Sequence, residues 1–337
     1  MRATLADVAK KTGLSTATIR QIFNGRAERF SKKTVERVRA AARELGYMPN
    51  AAARSVRRGR FDAVAVLLRH NGSHQDYNIL KGVYAAATRR GWQVYYGETE
   101  DCGFDEPENV PRHFRERCVD GYLVHHGMDL DPALIGALER VGVPIVWINA
   151  QARSNCVRPD DEGAMEMAID YLLAQGHHRL GWLCAEIDRG ALWQYPFMRH
   201  YSSTLRLTCF RELCRKKGVA FSVFHEMFSD EDELTRGVMH WLAGSESPSA
   251  IITNGDVFSR HLLLTARHLG IDLPDLPEVV SFVTGPCAAI AGVKKTILRV
   301  PAQEMGQAGV DMLFELLSTD RSSVPPRLIP YTLRSLQ

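Results

Sequence analysis

The stretch that decides the fold is TLADVAKKTGLSTATIRQIFNG (residues 4–25). Within it, STATIRQIFNG (residues 15–25) carries a thin apolar stripe and an outer face of hydroxyls, Arg20 and Gln21. A helix this short and polar can neither make a core nor be buried, so its neighbours must explain it. Thr4 is placed to cap a first helix, with Leu5, Val8 and Ala9 at helical spacing and Asp7 at the third helical position. Gly13 breaks that helix and Leu14 follows as an apolar plug. Ser15 caps the second helix, Ala17, Thr18, Ile19, Ile22 and Phe23 run along it, and Asn24-Gly25 supplies a left-handed stop. Ser31 caps a third helix with Val35, Val38, Ala42 and Leu45 as its stripe, and Gly46 ends it. Helix, tight turn, helix and supporting helix is the helix-turn-helix arrangement.

Charge agrees with that arrangement. The 337 residues carry a net charge of only +3. Residues 1–60 hold 15 Lys/Arg and 4 Asp/Glu, or +11, and the rest holds 27 and 35, or −8. A basic head on an acidic body is the footprint of a polyanion-binding end. Next comes YMPNAAARSVRRGR (47–60), where Pro49 interrupts and AAARSV has helix propensity but too few apolar residues to anchor it. This segment reads as a linker, marginally helical alone, that folds on a partner.

From residue 61 strands and helices alternate. AVAVLL (63–68), WQVYYG (92–97), DGYLVHH (120–126), VPIVWIN (143–149), HHRLGWLCA (177–185), VAFSVFH (219–225), SAIITNG (249–255) and PEVVSFV (277–283) read as strands. ILKGVYAAATRRG (79–91), MEMAIDYLLAQG (165–176), CFRELCRKKG (209–218), ELTRGVMHWLAG (233–244) and SRHLLLTARHLG (259–270) read as helices. At least six such units mean open parallel sheets flanked by helices, and about 275 residues need two lobes rather than one sheet. Ligands of these sheets bind at the carboxyl ends of strands, at a switch point or between lobes.

Composition bounds the remaining classes. No apolar run approaches the roughly 18 residues of a membrane span, and MRATLADVAKK has no apolar signal region, so a cytoplasmic protein without membrane partner is expected. The seven scattered cysteines lack paired metal spacing and read as free thiols. No GxxxxGK[ST], GxSxG or HExxH motif occurs, so neither enzyme, cofactor nor metal site is expected. His125-His126 and His177-His178 are adjacent, but neighbouring strand residues face opposite ways, so neither pair is a ready metal site.

These segments resemble the LacI/GalR family of bacterial transcription regulators over nearly the whole chain. Residues 4–25 and SKKTVERVRAAARELGYMPNAAARSVRRGR (31–60) carry the specific part. VDGYLV, VPIVWIN, VRPDDEGA, AIDYLLAQGHHRLGWL, LGI, VVSF and TILRVPAQEMG carry the weaker part. The resemblance implies an α/β chain in three parts. Residues 1–48 form a three-helix helix-turn-helix DNA-binding head and 49–60 a hinge helix. Residues 61–337 form a two-lobed, periplasmic-binding-protein-like core of parallel sheets flanked by helices, which dimerises. It implies a regulator, a repressor of double-stranded operator DNA, whose affinity responds to a small sugar-like molecule between the lobes. The other readings are a small-molecule binding protein without effector-coupled regulation and a regulator that has lost its effector. YTLRSLQ (331–337) has no heptad pattern, so a homodimer rather than a tetramer is expected.

On this resemblance the second helix enters the major groove, presenting Thr16, Ala17, Arg20 and Gln21 to base edges. Thr4, Ser15, Thr18, Asn24, Ser31 and Thr34 join the DNA-binding set, the last five suited to phosphate. Relatives usually carry Ser then Arg where this chain has Arg20 then Gln21, which turns the arginine about 100° around the helix. In the hinge, Asn50, Ala53, Arg54 and Ser55 match, Arg57 and Arg58 suit flanking phosphates or a narrow groove, and Val56 stands where a leucine usually wedges into the minor groove. The effector set is Ser73, Gln75, Asp76, Asn149, Trp193, Arg206, Phe228 and Asp256, with Arg206 as a bidentate clamp and Phe228 and Trp193 as covers. Cys209 replaces a glycine after Arg206, and Val283 replaces the carboxylate that many relatives use for effector.

Overall fold

The computed structural model describes residues 3–48, 59–68, 74–98, 118–125, 135–136, 138, 140, 142–187, 200–272, 275–285, 295–319 and 321–336. The chain divides into two compact units, Met1–Phe61 and Asp62–Gln337.

The first unit is built from caps. Thr4 Oγ1 accepts the Asp7 N–H at 3.3 Å while Asp7 accepts the Thr4 N–H at 2.8 Å, a reciprocal capping box that starts α1 (Leu5–Thr12). Gly13, at φ 68°, ends α1 in a left-handed conformation that a side chain would strain by about 1–2 kcal/mol. Ser15 caps α2 (Thr16–Phe23) by accepting the Thr18 N–H at 3.1 Å. After a 3-10 turn, Ala27–Arg29, Ser31 caps α3 (Lys32–Glu44) in the same way, accepting the Thr34 N–H at 3.2 Å. The three stripes meet in one small core of Val8, Ala9, Ile19, Ile22, Val38, Ala41 and Ala42, with Leu14, Phe23 and Leu45 packed against it. The expected stop after α2 forms at Asn24-Gly25, where Asn24 has φ −97° and Gly25, at φ 81°, takes the left-handed turn.

The second unit holds two six-stranded sheets. The first has strand order β11-β5-β4-β3-β1-β2 and the second β12-β10-β9-β8-β6-β7. β1 (Ala63–Leu68), β2 (Gln93–Glu98), β3 (Gly121–His125), β4 (Ile145–Ile148) and β5 (Cys156–Pro159) build the first lobe with α4 (His74–Arg89). The chain then crosses to α5 (Asp161–Ala174), β6 (Arg179–Ile187), α6 (Tyr201–Lys217), β7 (Ala220–Phe228), α7 (Glu231–Ala243), β8 (Ala250–Thr253), α8 (Asp256–His268), β9 (Glu278–Val283) and β10 (Lys295–Arg299). It returns through Val300-Pro301 to α9 (Ala302–Ser318), which packs on α4, and to β11 (Arg327–Ile329) in the first sheet. A third crossing at Pro330-Tyr331 leads to β12 (Thr332–Leu336) in the second. Three crossings tie the lobes together, so the carboxyl ends of the strands converge between them.

Several expectations need correction. β12 runs antiparallel to β10, so the second sheet is not parallel throughout. β5, β10, β11 and β12 escaped the sequence reading because they are short or end on Pro and Arg. α4 starts at His74, five residues before the expected helix, so Gln75 and Asp76 sit in its first turn rather than in a loop. A helix start is polar because acidic side chains suit its exposed N–H groups, and that polarity hid it. α6 starts at Tyr201, because burial of Tyr201, Ser202, Ser203 and Arg206 overrides the weak helix propensity of YSST. The α4–α9 contact is close: a Cβ on Gly306 would lie 2.2 Å from the Ile79 carbonyl oxygen, and one on Gly82 2.0 Å from that of Gln303.

Candidate functional site

The outer face of the head is α2. Thr16, Ala17 and Arg20 are exposed and Gln21 is half-buried, while Ile19 and Ile22 hold the helix to the core. Ser15 and Thr18 share a hydroxyl–hydroxyl bond of 2.9 Å, and Ser31 and Thr34 another of 2.9 Å. These hydroxyls are therefore fixed at the starts of α2 and α3. Neither helix has an acidic residue in its first turn, and α3 begins with Lys32 and Lys33. Cations at a helix start oppose the dipole, an arrangement that favours an anion there. Thr4 differs: Asp7 takes both its N–H and, at 2.7 Å, its hydroxyl, and these bonds hold the Asp7 carboxyl below its usual range. The acidic cap turns Thr4 toward local structure. Asn24 is half-buried and closes α2 through its backbone N–H. Asn50, Arg54, Val56 and Arg57 lie outside the described residues, as do Ser73 and Trp193.

The cleft collects polar groups from both lobes. Asn149 follows β4 with φ 55°, a left-handed backbone that asparagine tolerates better than most residues. Its side chain accepts from the Tyr201 hydroxyl at 3.1 Å and lies 3.3 Å from His125 Nε2. His125 Nδ1 in turn lies 2.7 Å from Asp76 Oδ1, off the line of a directed hydrogen bond. All four side chains are buried. His200, the N-cap of α6, takes the Ser202 N–H on its Nδ1 at 3.3 Å. Burial, then the charge of Arg206, pushes its imidazole down to about 3, so it stays neutral.

Arg206 is buried in a second cluster. Its Nε donates to Asp161 Oδ1 at 2.7 Å, and one terminal nitrogen donates to Asn254 Oδ1 at 3.0 Å. The other donates to the Tyr331 hydroxyl at 2.8 Å, and Tyr331 donates to Asp161 at 2.7 Å. The guanidinium stacks on Phe282, 4.0 Å from the ring centroid. Burial opposes the charge, but Asp161 and Tyr331 more than offset it and raise the Arg206 pKa. Asp161 and Tyr331 sit at two of the three lobe crossings, so Arg206 binds the crossings to α6. Asp161 Oδ2 is buried with no hydrogen-bond partner among the described residues, an acceptor in want of a donor.

The other expected cleft residues separate. Phe228 stacks on Phe224 at 5.6 Å and packs against Gly237 in the core, so it does not serve as an exposed cover. Asp256 pairs with the buried Lys295 at 2.5 Å. Gln75 lies one residue before Asp76 at the start of α4 and is half-buried. His125, Asp161, His200, Tyr201, Asn254 and Tyr331 were not assigned from sequence. Their places at strand ends could have pointed to Asp161 and Asn254; nothing in the sequence pointed to Tyr331. Of the histidine pairs, His177 bonds Ser249 at 3.1 Å and Glu278 at 3.2 Å. Among the described residues no group of three or more His, Cys, Asp or Glu could hold a metal, and no helix is long and apolar enough to cross a membrane.

A capped three-helix head and a two-lobed α/β core with polar side chains between its lobes define a DNA-binding regulator with a periplasmic-binding-protein-like body. Residues 4–50 match the bacterial regulatory proteins of the lacI family, and residues 169–335 match the periplasmic binding protein-like domain. The chain therefore carries a LacI-family helix-turn-helix domain and a periplasmic-binding-protein-like domain, a pairing found in transcription regulators rather than in enzymes. It is 25% identical to the HTH-type transcriptional regulator GntR of Pseudomonas aeruginosa over 94% of this chain and 90% of that protein. It is 27% identical to the HTH-type transcriptional regulator MalR of Streptomyces coelicolor over the same shares. Its fold is that of the Lac repressor dimer bound to operator and the anti-inducer ONPF, with a TM-score of 0.74, 20% identity, and coverage of 99% of this chain and 98% of that one.

Proposed function

We propose that the protein is a homodimeric repressor that reads a pseudo-palindromic operator with α2 and releases or tightens it when a sugar-like molecule enters the cleft. The observation that carries the first half is the exposed Thr16, Ala17 and Arg20 face beside two helix starts left without acidic residues. Arg20 suits guanine O6 and N7, Gln21 suits adenine, and Ala17 or Thr16 suits a thymine methyl. Ser15, Thr18, Asn24, Ser31 and Thr34 fix the head to phosphates, and Asn50, Arg54, Val56 and Arg57 act from the hinge in the minor groove.

The cleft supports the second half. Asp161 Oδ2 calls for a donor, and the cleft's two clusters, Asn149 with Tyr201 and Arg206 with Asn254 and Tyr331, offer hydrogen-bonding groups. Hydroxyl-rich molecules satisfy donors and acceptors together. Dimerisation is supported by exposed aromatic and apolar residues seven apart on single helices: Tyr77 and Tyr84 on α4, and Val257 and Leu264 on α8.

Two experiments test this. Operator selection from random duplexes, followed by binding at two salt concentrations, reads the head: steep salt dependence and site selectivity are expected, and their absence rejects it. A thermal-shift screen of neutral sugars, sugar acids and sugar phosphates reads the cleft: a saturable stabilisation lost in Asn149→Ala is expected, and no stabilisation by any of them rejects a sugar-like effector.

A further inference from the structure

We infer that the relay Tyr201–Asn149–His125–Asp76 is an interlobe latch that sets the balance between closed and open forms of the core. Tyr201 opens α6 in the second lobe, whereas Asn149, just past β4, His125 of β3 and Asp76 of α4 belong to the first. The Tyr201 hydroxyl donates to Asn149 Oδ1 at 3.1 Å, leaving the Asn149 amide nitrogen to donate to His125 Nε2 at 3.3 Å. The other ring nitrogen, His125 Nδ1, lies 2.7 Å from Asp76 Oδ1. The two hydrogen bonds run the same way, from Tyr201 to Asn149 and from Asn149 to His125, whereas the His125–Asp76 contact is short but not a directed bond. A second bond, Asn78 Nδ2 to the Thr284 carbonyl at 3.2 Å, also joins the first lobe to the second.

The chemistry of this seam suits reversal. Parting an apolar interface exposes area in proportion to its size, whereas hydroxyl, amide and imidazole groups exchange protein partners for water at a small net cost each. The backbone at Asn149 adds a further sign: φ 55° is held at the residue whose side chain makes the bridge. Only the consequence for operator binding rests on the cleft being the effector site, since a hydroxyl-bearing ligand would compete with Tyr201 for Asn149; the latch itself is tested without a ligand.

The experiment is amide hydrogen exchange on the full chain and on Tyr201→Phe, Asn149→Gly and the double variant, with no ligand added. Tyr201→Phe keeps the ring, and Asn149→Gly removes the amide at a φ that glycine adopts freely. The expected result is an increase of roughly fivefold to tenfold in exchange of the first turns of α4 and α6 in each single variant. The double variant should match the singles, because both break one bridge. Unchanged exchange at those turns in folded variants overturns the latch. So does an equal rise throughout both sheets, or an effect of the double variant equal to the product of the singles.

Discussion

The head and the cleft solve opposite problems with similar side chains. On the head, Thr16, Ala17 and Arg20 face outward, and Ser15 and Ser31 bond within their own helix starts. In the cleft, Arg206, Asn149, His125 and Asp76 are buried in two clusters, Arg206 bonded to Asp161 and Asn149 to Tyr201 and His125, across elements far apart in the chain. An exposed polar face is held ready for a large polyanion and costs little while it waits. A buried one must be internally paired, because an orphaned polar group there costs about 1–3 kcal/mol. Substitutions should therefore disturb stability in the cleft and recognition on the head.

The largest effect is expected from Arg206→Ala. It leaves Asp161 as a buried charge without its partner, and urea unfolding should show a loss of about 3–5 kcal/mol in the core. A loss below about 1 kcal/mol would mean that the cluster is not the tie between the lobe crossings. Gly306→Ala comes next, since its Cβ would meet backbone at 2.2 Å, and forced separation of α4 and α9 should cost about 1–3 kcal/mol by the same measurement. On the head, Ser31→Ala should lower the stability of the three-helix unit by about 1 kcal/mol while leaving the core transition unchanged.

A further effect concerns pH. The His200 imidazole is depressed to about 3 in the folded core, below its value of about 6.5 in the unfolded chain. The unfolded state binds the extra proton first, so this contribution is fully present above pH 6.5 and is lost as pH falls toward 3. His200→Asn keeps a capping side chain and should flatten the fall in core stability between pH 6.5 and 4. An unchanged slope would assign the acid sensitivity to other groups.

The same contrast explains what was legible in the sequence. The head is coded locally: caps, stripes and glycine stops lie within about 45 consecutive residues, and the three helices form where those signals place them. The buried strands of the core also announce themselves by apolar runs such as AVAVLL. The cleft is assembled from residues as distant as Asp76 and Tyr331, and only Asp76, Asn149 and Arg206 of its bonded groups were expected. Their partners depend on strand order and on where three crossings meet, which periodicity does not encode. Phe228 shows the converse error: an aromatic that looks like a cover is held in the core by Phe224 and by the space left at Gly237.

The most direct test of the account is the binding of full-length protein and of Arg20→Ala to the selected operator and to a random duplex over a salt series. The account predicts that Arg20→Ala weakens operator binding by about 1–3 kcal/mol, relaxes preference at one position in each half-site, and leaves random-duplex affinity nearly unchanged. An equal loss on both duplexes would contradict base reading by α2 and reduce Arg20 to a phosphate contact.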